Sequence, residues 1–270
     1  MKSHKDKVMP KDAYAVYSGP DTPEFTKQTA QDIKQRFNLN LPPRTQPYNP
    51  QAMAYYGALA SDLEFRKQFY RSNKHGLIFK DSTGNKHSVQ FFGTASDNSG
   101  AYAKNVRVLY YDSNTPSFIL RMETHKEGET IIIYRPDEPL SFESAFQQTL
   151  KAITHPCAGN FTQNTYPYLR TGDLVKIPYL NINTRTNLTD ALQGTRYYQG
   201  DPRPWSITWA YQMTDFQLTE KGARIRLQTG MNDPFGGAPE PRKFICNAPF
   251  FVFSWRDGAE LPYFAAWIDG

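Results

Sequence analysis

Apolar and polar positions along this chain repeat at two spacings, and each spacing names an element. Residues 1–20 are polar and read as an N-terminal arm. Phe25, Ile33 and Phe37 then recur at multiples of four, which lines one face of a helix. Thr22 supplies a capping oxygen ahead of it, and Pro23 suits its first turn. Leu41-Pro42-Pro43 cannot continue the helix, so 42–50 reads as a loop. The apolar run MAYYGALA, 53–60, suits a buried strand. Strands follow at 87–92, 105–111, 117–123 and 129–135. Val106, Val108 and Tyr110 alternate with polar neighbours, which leaves one face wet. Ile131-Ile132-Ile133 is continuous, which implies cover on both faces. A second helix is predicted over 141–153, capped by Ser141 and striped by Phe142, Phe146, Leu150 and Ile153. Next come a strand over 174–183 that carries Pro178, a short helix over 187–192, a long strand over 205–219, and two final strands near Phe250 and 263–268. The result is an α+β fold, rich in strands, with one domain over 21–270.

One stretch interrupts the pattern. Phe216 and Leu218 alternate as in a strand, and the chain turns at Glu220-Lys221-Gly222. Ala223, Ile225 and Leu227 alternate again with Arg224, Arg226 and Gln228. The sequence then becomes a loop rich in glycine and proline before the run Phe250-Phe251-Val252-Phe253. Such a loop on a packed scaffold is a place where function resides. An ordinary hairpin strand at 223–229 is the plain alternative.

Composition narrows the classes. The chain has 270 residues with 39% hydrophobic and 21% charged positions, which is a globular balance. The 14% aromatic content, with 17 Tyr and 18 Phe, favours strands and broad packed faces. A net charge of +5 is dispersed, with no basic block and no zinc-finger spacing, so nucleic acid is not an expected partner. No apolar run is long enough to span a bilayer as a helix, so no membrane role is expected. The basic start MKSHKDKVMPKD lacks a signal-peptide core; if Met1 is the native start, the chain is expected in the cytoplasm. Two cysteines, Cys157 and Cys246, cannot make a disulfide framework, though one bridge stays open.

Catalytic chemistry finds little footing. There is no G-x-S-x-G, H-E-x-x-H or phosphate loop, and the histidines show no metal spacing, so neither enzyme activity, cofactor nor metal is expected. His155 and Cys157 are near in sequence, but catalytic pairs are built in space. Asn160-Phe161-Thr162 and Asn187-Leu188-Thr189 match a glycosylation acceptor, expected as chance matches if Met1 is the native start and no signal peptide directs export. Trp205, Trp209 and Tyr211 read as core.

Five pieces in order resemble the C-terminal two-thirds of a serpin. FRKQFYRSNKHGLIFKDSTGNKHSVQFFG (65–93) resembles the family's W-x-x-x-F, spacer and strand, with Phe65 where the tryptophan stands. VRVLYYDSNTPSFILRMETHKEGETIIIYRPDEPLSFESAFQQTL (106–150) resembles two strands, L-P-D-E and a capped helix. VKIPYLNINTRTNLTDAL (175–192), TEKGARIRLQTG (219–230) and FICNAPFFVFSWRDGAELPYFAAWI (244–268) resemble, in turn, a core strand, the hinge and the last strands. The resemblance implies a large, mostly antiparallel sheet with a second sheet and a few helices, truncated at the N-terminus. The helix over 22–37 corresponds to the one lying across the family's large sheet. It also implies that 223–243 is the reactive-centre loop. Its hinge is then Glu220, Lys221, Gly222, Ala223, Ile225 and Leu227, and its reactive bond lies near Phe235, Gly236 and Gly237. Family inhibitors act when a protease cleaves the loop, and the loop inserts as a new strand while still bound to the enzyme. They keep small residues in the hinge, whereas Ile225 and Leu227 are large. The expectation is therefore a serpin-like binding protein without strand trapping, with a protease or another protein as partner. An inhibitor of serine or cysteine endopeptidases is the alternative.

Overall fold

The computed structural model describes residues 10, 12–60, 63–72, 76–94, 99–155, 167–192, 206–222 and 241–270. These divide into two compact units. One is built from 9–62 and 181–216; the other from 63–180 and 217–270.

In the first unit, helix α1 (Pro23–Phe37) starts as its sequence demands. Thr22 is extended, and its Oγ1 accepts the Phe25 N–H at 3.2 Å. Glu24 sits in the first turn, and Lys34 and Arg36 in the last, so both ends complement the helix dipole. Asn38 ends the helix in the left-handed region at φ 56°, its N–H returned to the Lys34 carbonyl. Replacing Thr22 with alanine removes the cap. The expected result is a loss of about 1 kcal/mol in urea unfolding, with the fold kept.

α1 packs its Ile33 and Phe37 onto a four-stranded sheet of order β1-β2-β12-β11. The strands are β1 (Tyr14–Pro20), β2 (Met53–Ala60), β11 (Leu180–Asn187) and β12 (Ile207–Leu218). Register puts Ala15, Ala58 and Met213 in one row, and Tyr17, Tyr56 and Tyr211 in another. These rows and Trp209 form the face that receives the helix. Burying Ile33 and Phe37 there contributes about 2 kcal/mol each. β1 runs antiparallel to β2, whereas β2 and β12 are parallel, from Ile207↔Met53 to Asp215↔Ala60. The last seven residues of the expected polar arm are thus a strand. They were hidden because Tyr14, Val16 and Ser18 mix aromatic, apolar and polar residues without a clean period, and Val16 is 61% exposed at a sheet edge.

The second unit holds three sheets. The largest is antiparallel, in the order β15 (Phe264–Ile268), β14 (Phe250–Arg256), β9 (Glu129–Arg135), β8 (Phe118–Glu123), β7 (Val106–Tyr111). Ile131, Ile132 and Ile133 are at most 1% exposed, as a continuous apolar run requires. Helix α2 (Phe142–Thr154) covers this sheet through Ala145 and Ala152, with Phe146, Leu150 and Ile153 partly buried. Ser141 caps it, its Oγ accepting the Ser144 N–H at 3.1 Å. Phe142 is 46% exposed, so the expected stripe is rotated toward small residues that let the helix sit close. Phe142 still meets Phe251 edge-on at 5.3 Å.

A second sheet has the order β13 (Lys243–Ile245), β10 (Leu174–Pro178), β6 (Phe91–Gly93), β3 (Tyr70–Arg71). A hairpin joins β4 (Leu77–Lys80) to β5 (Lys86–Val89). Two expected strands are each divided. The strand predicted over 174–183 becomes β10, ending at Pro178, and β11, in different sheets. Proline carries no N–H to continue a ladder, and the chain changes sheet there. The strand predicted over 87–92 likewise separates into β5 and β6 at Gln90. The short helix α3 (Thr189–Leu192) follows Asn187, whose side-chain oxygen accepts the Thr189 N–H at 2.9 Å.

Candidate functional site

β12 ends at Leu218, which is fully buried, and the chain reverses at once. Thr219 and Gly222 exchange backbone bonds in both directions at 3.1 Å. The Thr219 hydroxyl donates to the Gly222 carbonyl at 3.0 Å and accepts the Lys221 N–H at 3.3 Å. This turn is pinned from outside by 63–69. Phe69 N–H donates to the Glu220 carbonyl at 2.8 Å, and Phe65 N–H to the Lys221 carbonyl at 3.0 Å. Gly222 forms an antiparallel bridge with Glu64. Its φ is 95°, and a Cβ there would lie 2.2 Å from the Leu63 carbonyl oxygen and 2.5 Å from Phe65 N. Only glycine combines that backbone shape with that approach.

The pinning segment is itself held. Glu64 accepts the His125 N–H at 2.7 Å, and Arg66 donates from Nε to the Thr124 carbonyl at 3.0 Å. Its aromatic rings build a seat. Phe69 stands edge-on to Phe65 at 5.0 Å and stacks on Tyr102 at 4.9 Å. Phe92 fills the space between Phe69 and Tyr179. Glu220, only 5% exposed, accepts a short hydrogen bond from the Tyr179 hydroxyl. Burial, and then that bond to Glu220, push the Tyr179 hydroxyl far above its usual pKa. It therefore stays a donor at any physiological pH, and the buried carboxylate keeps its partner.

The chain at 241–245 has an anchor of its own. Arg242, just before β13, is 3% exposed and Asp173 is 1% exposed. Arg242 Nη2 lies 2.7 Å from Asp173 Oδ2, Nε reaches both carboxylate oxygens at 3.2–3.3 Å, and Nη2 also donates to the Tyr168 carbonyl at 2.6 Å. The Arg242 and Arg170 backbone N–H groups complete the cage, at 2.9 and 2.8 Å. From there β13 runs parallel to β10, Val175 opposite Phe244.

Of the residues singled out from the sequence, Glu220, Lys221 and Gly222 come together in the first anchor. Ala223, Ile225, Leu227, Phe235, Gly236 and Gly237 lie outside the described residues. Arg242 and Asp173 escaped sequence reasoning because they are 69 positions apart and neither belongs to a motif. Tyr179 escaped it for the same reason. Phe65 and Phe69 were singled out only as part of a resemblance, and their N–H groups bond the Lys221 and Glu220 carbonyls, which gives them a physical role.

Other chemistry is sparse. Among the described residues, no group of three or more His, Cys, Asp or Glu is placed to hold a metal ion. Burial pushes the Cys246 thiol far up and keeps it unreactive. His155 is an exposed helix terminus; Cys157 lies outside the described residues, as do Trp205 and Asn160. Trp209 is core, its ring 4.7 Å from Tyr211.

No protein-family model matches the sequence, and no curated protein matches it. Similar solved structures include native tengpin, a thermophilic serpin, with a TM-score of 0.65 at 14% identity, covering 99% of this chain and 76% of tengpin. Glycosylated human kallistatin gives 0.62 at 13%, covering 93% of this chain and 64% of that one. Native protease nexin-1 with heparin gives 0.59 at 12%, covering 100% and 80%. At such identities the likeness is one of fold.

Proposed function

We propose that this chain, serpin-like in fold, is a protein-binding module that presents 223–240 from two fixed anchors and does not trap proteases by strand insertion. The observation that carries this reading is the sequence Arg224-Ile225-Arg226-Leu227 directly beyond the Gly222 clamp. Trapping is a race between insertion of the cleaved loop and hydrolysis of its ester to the protease. Ile225 and Leu227 fall at the inward positions of an inserted strand, where large branched side chains must enter an interior already packed. Insertion in that register is compatible with a buried face, but it is slow. A slip by one residue turns Arg224 and Arg226 inward instead, which is costly for unpaired charge.

The clamp supports the same reading. Glu220, Lys221 and Gly222 contribute backbone bonds to the neighbouring segment 63–69, so the three residues ahead of Ala223 are tied down. A loop tethered at both ends loses less freedom on binding than a free peptide, which favours recognition. The partner is a protease or another protein; the dispersed +5 charge gives no footprint for nucleic acid. Enzyme activity forms no part of the proposal.

The second reading, inhibition of a serine or cysteine endopeptidase, rests on the family-like Glu220-Lys221-Gly222 and on a loop long enough to reach a reactive bond near Phe235-Gly236-Gly237. One gel separates the two. The protein is incubated with chymotrypsin-like, trypsin-like and papain-like proteases. Cleavage within 223–240 without an SDS-stable adduct, and without a gain in thermal stability, is expected. An adduct that survives boiling in detergent would replace the first reading with the second.

A further inference from the structure

Within the second unit, α2 and the five-stranded sheet leave a hollow of about 250 Å³ between them. It opens on one flank of the helix. On the other flank Phe142 meets Phe251, and Phe146 stacks on Trp255 at 5.9 Å, which closes the helix against β14. Toward β7 and β8 the helix offers Ala152, whose methyl group leaves the space unfilled. The floor comes from an irregularity in β7. Its register steps from Val108↔Leu120 to Tyr110↔Ile119, so Leu109 is an extra residue. A bulge re-aims side chains that regular alternation sends to opposite faces. Leu109 and Tyr110, neighbours in the chain, therefore both line the hollow, beside Ile119 of β8. Leu109 and Ile119 are buried, and the Tyr110 ring adds an aromatic wall.

The mouth is polar. Gln148, Lys151 and His155 follow one another along α2 and its end, and all three line the opening. The Tyr134 hydroxyl donates to Gln148 Oε1. Burial, and then Tyr110, push the Tyr134 hydroxyl up to about 12, so it remains a donor. With its oxygen engaged, the Gln148 amide has its NH2 left to offer. Among the described residues, no carboxylate pairs with Lys151. Donors and one positive charge thus stand over an apolar floor, a combination that orients an amphipathic acid. The anion belongs at the Lys151 end, because Asp112 and Asp137 act on the Tyr110 hydroxyl. An apolar cavity of about 150 Å³ accepts a benzene ring, so this hollow has room for one ring and a short chain.

We propose that the hollow between α2, β7 and β8 binds a single-ring aromatic monocarboxylate, its ring on Leu109, Ile119 and Ala152 and its carboxylate at the mouth between Lys151 and Gln148. Binding is read on the free protein, so the result is independent of what 223–240 recognises. The test ligands are 3-phenylpropanoate and its neutral counterpart 3-phenylpropanol, titrated into the full chain while the methyl resonances of Leu109 and Ile119 are followed. The acid should shift both residues saturably, with a Kd below about 1 mM. The alcohol should bind roughly tenfold more weakly, since it lacks the charged acceptor. Lys151→Met should weaken the acid by the same roughly tenfold factor and leave the alcohol unchanged. Ala152→Leu fills the hollow and should abolish both. The proposal is overturned if neither residue responds to the acid at about 10 mM. It is equally overturned if Lys151→Met leaves the affinity for the acid unchanged, or if folded Ala152→Leu still binds it. Lys151 is exposed, so its replacement keeps the fold and decides the matter should Ala152→Leu not fold.

Discussion

Replacing Gly222 with alanine is expected to cost the fold about 3–5 kcal/mol, combining a non-glycine residue at positive φ with the loss of backbone bonds. At φ 95° the conformational penalty alone is about 1–3 kcal/mol. The added Cβ also meets the Leu63 carbonyl oxygen at 2.2 Å, the Phe65 nitrogen at 2.5 Å and the Glu64 Cα at 2.8 Å. All three are backbone atoms, so no side chain can swing aside. The chain must separate there, and the bonds from Phe65 to Lys221 and from Phe69 to Glu220 loosen with it. Urea unfolding should show a lower midpoint at an unchanged slope, since the surface exposed on unfolding is the same. Lys221→Ala is the control; it keeps the backbone carbonyl that accepts the Phe65 N–H, and its cost should stay within about 0.5 kcal/mol. If Gly222→Ala and Lys221→Ala melt alike, the close approach at 63–65 is wrong.

Arg242→Ala should be comparably severe, at about 3–5 kcal/mol, because it leaves a buried carboxylate without its cation. Asp173 is 1% exposed, and three of its hydrogen bonds come from the Arg242 side chain. Water cannot readily replace them without opening the edge where β13 joins β10. The double change Arg242→Met with Asp173→Asn removes both charges and keeps much of the volume, so it should cost less than Arg242→Ala alone. That ordering distinguishes a stranded charge from simple loss of packing. The deficit should also persist at high salt, since a pair this deeply buried is screened little. Thermal unfolding of the three proteins at two salt concentrations provides the check.

Local chemistry made some of this molecule legible in advance. Both long helices were readable from Thr22, Pro23 and Ser141, because a cap is a bond between neighbours in the chain. β2 and β9 were readable because an unbroken apolar run admits few solutions. β1 was not, since a strand at a sheet edge may carry Val16 or Ser18 without penalty. The broken strand at Pro178 was marked by its proline, but sheet membership depends on partners that no local pattern specifies. The site divides in the same way. Gly222 announced itself through a turn, whereas Asp173, Arg242 and Tyr179 acquire meaning only from side chains brought in from afar. Asp21 is the extreme case: it reads as an ordinary turn residue after β1, yet it joins three separate stretches of chain.

The first unit is assembled from 9–62 and 181–216, with most of the second unit encoded between them. A ribosome therefore delivers β1, α1 and β2 well before β12 exists. Until then, the side of β2 destined for β12 offers unpaired amides and carbonyls to any other nascent strand. Closing so long a chain loop before the parallel ladder can form also makes maturation slow. Chaperone dependence during biosynthesis is thus an expected consequence of gene order as much as of stability.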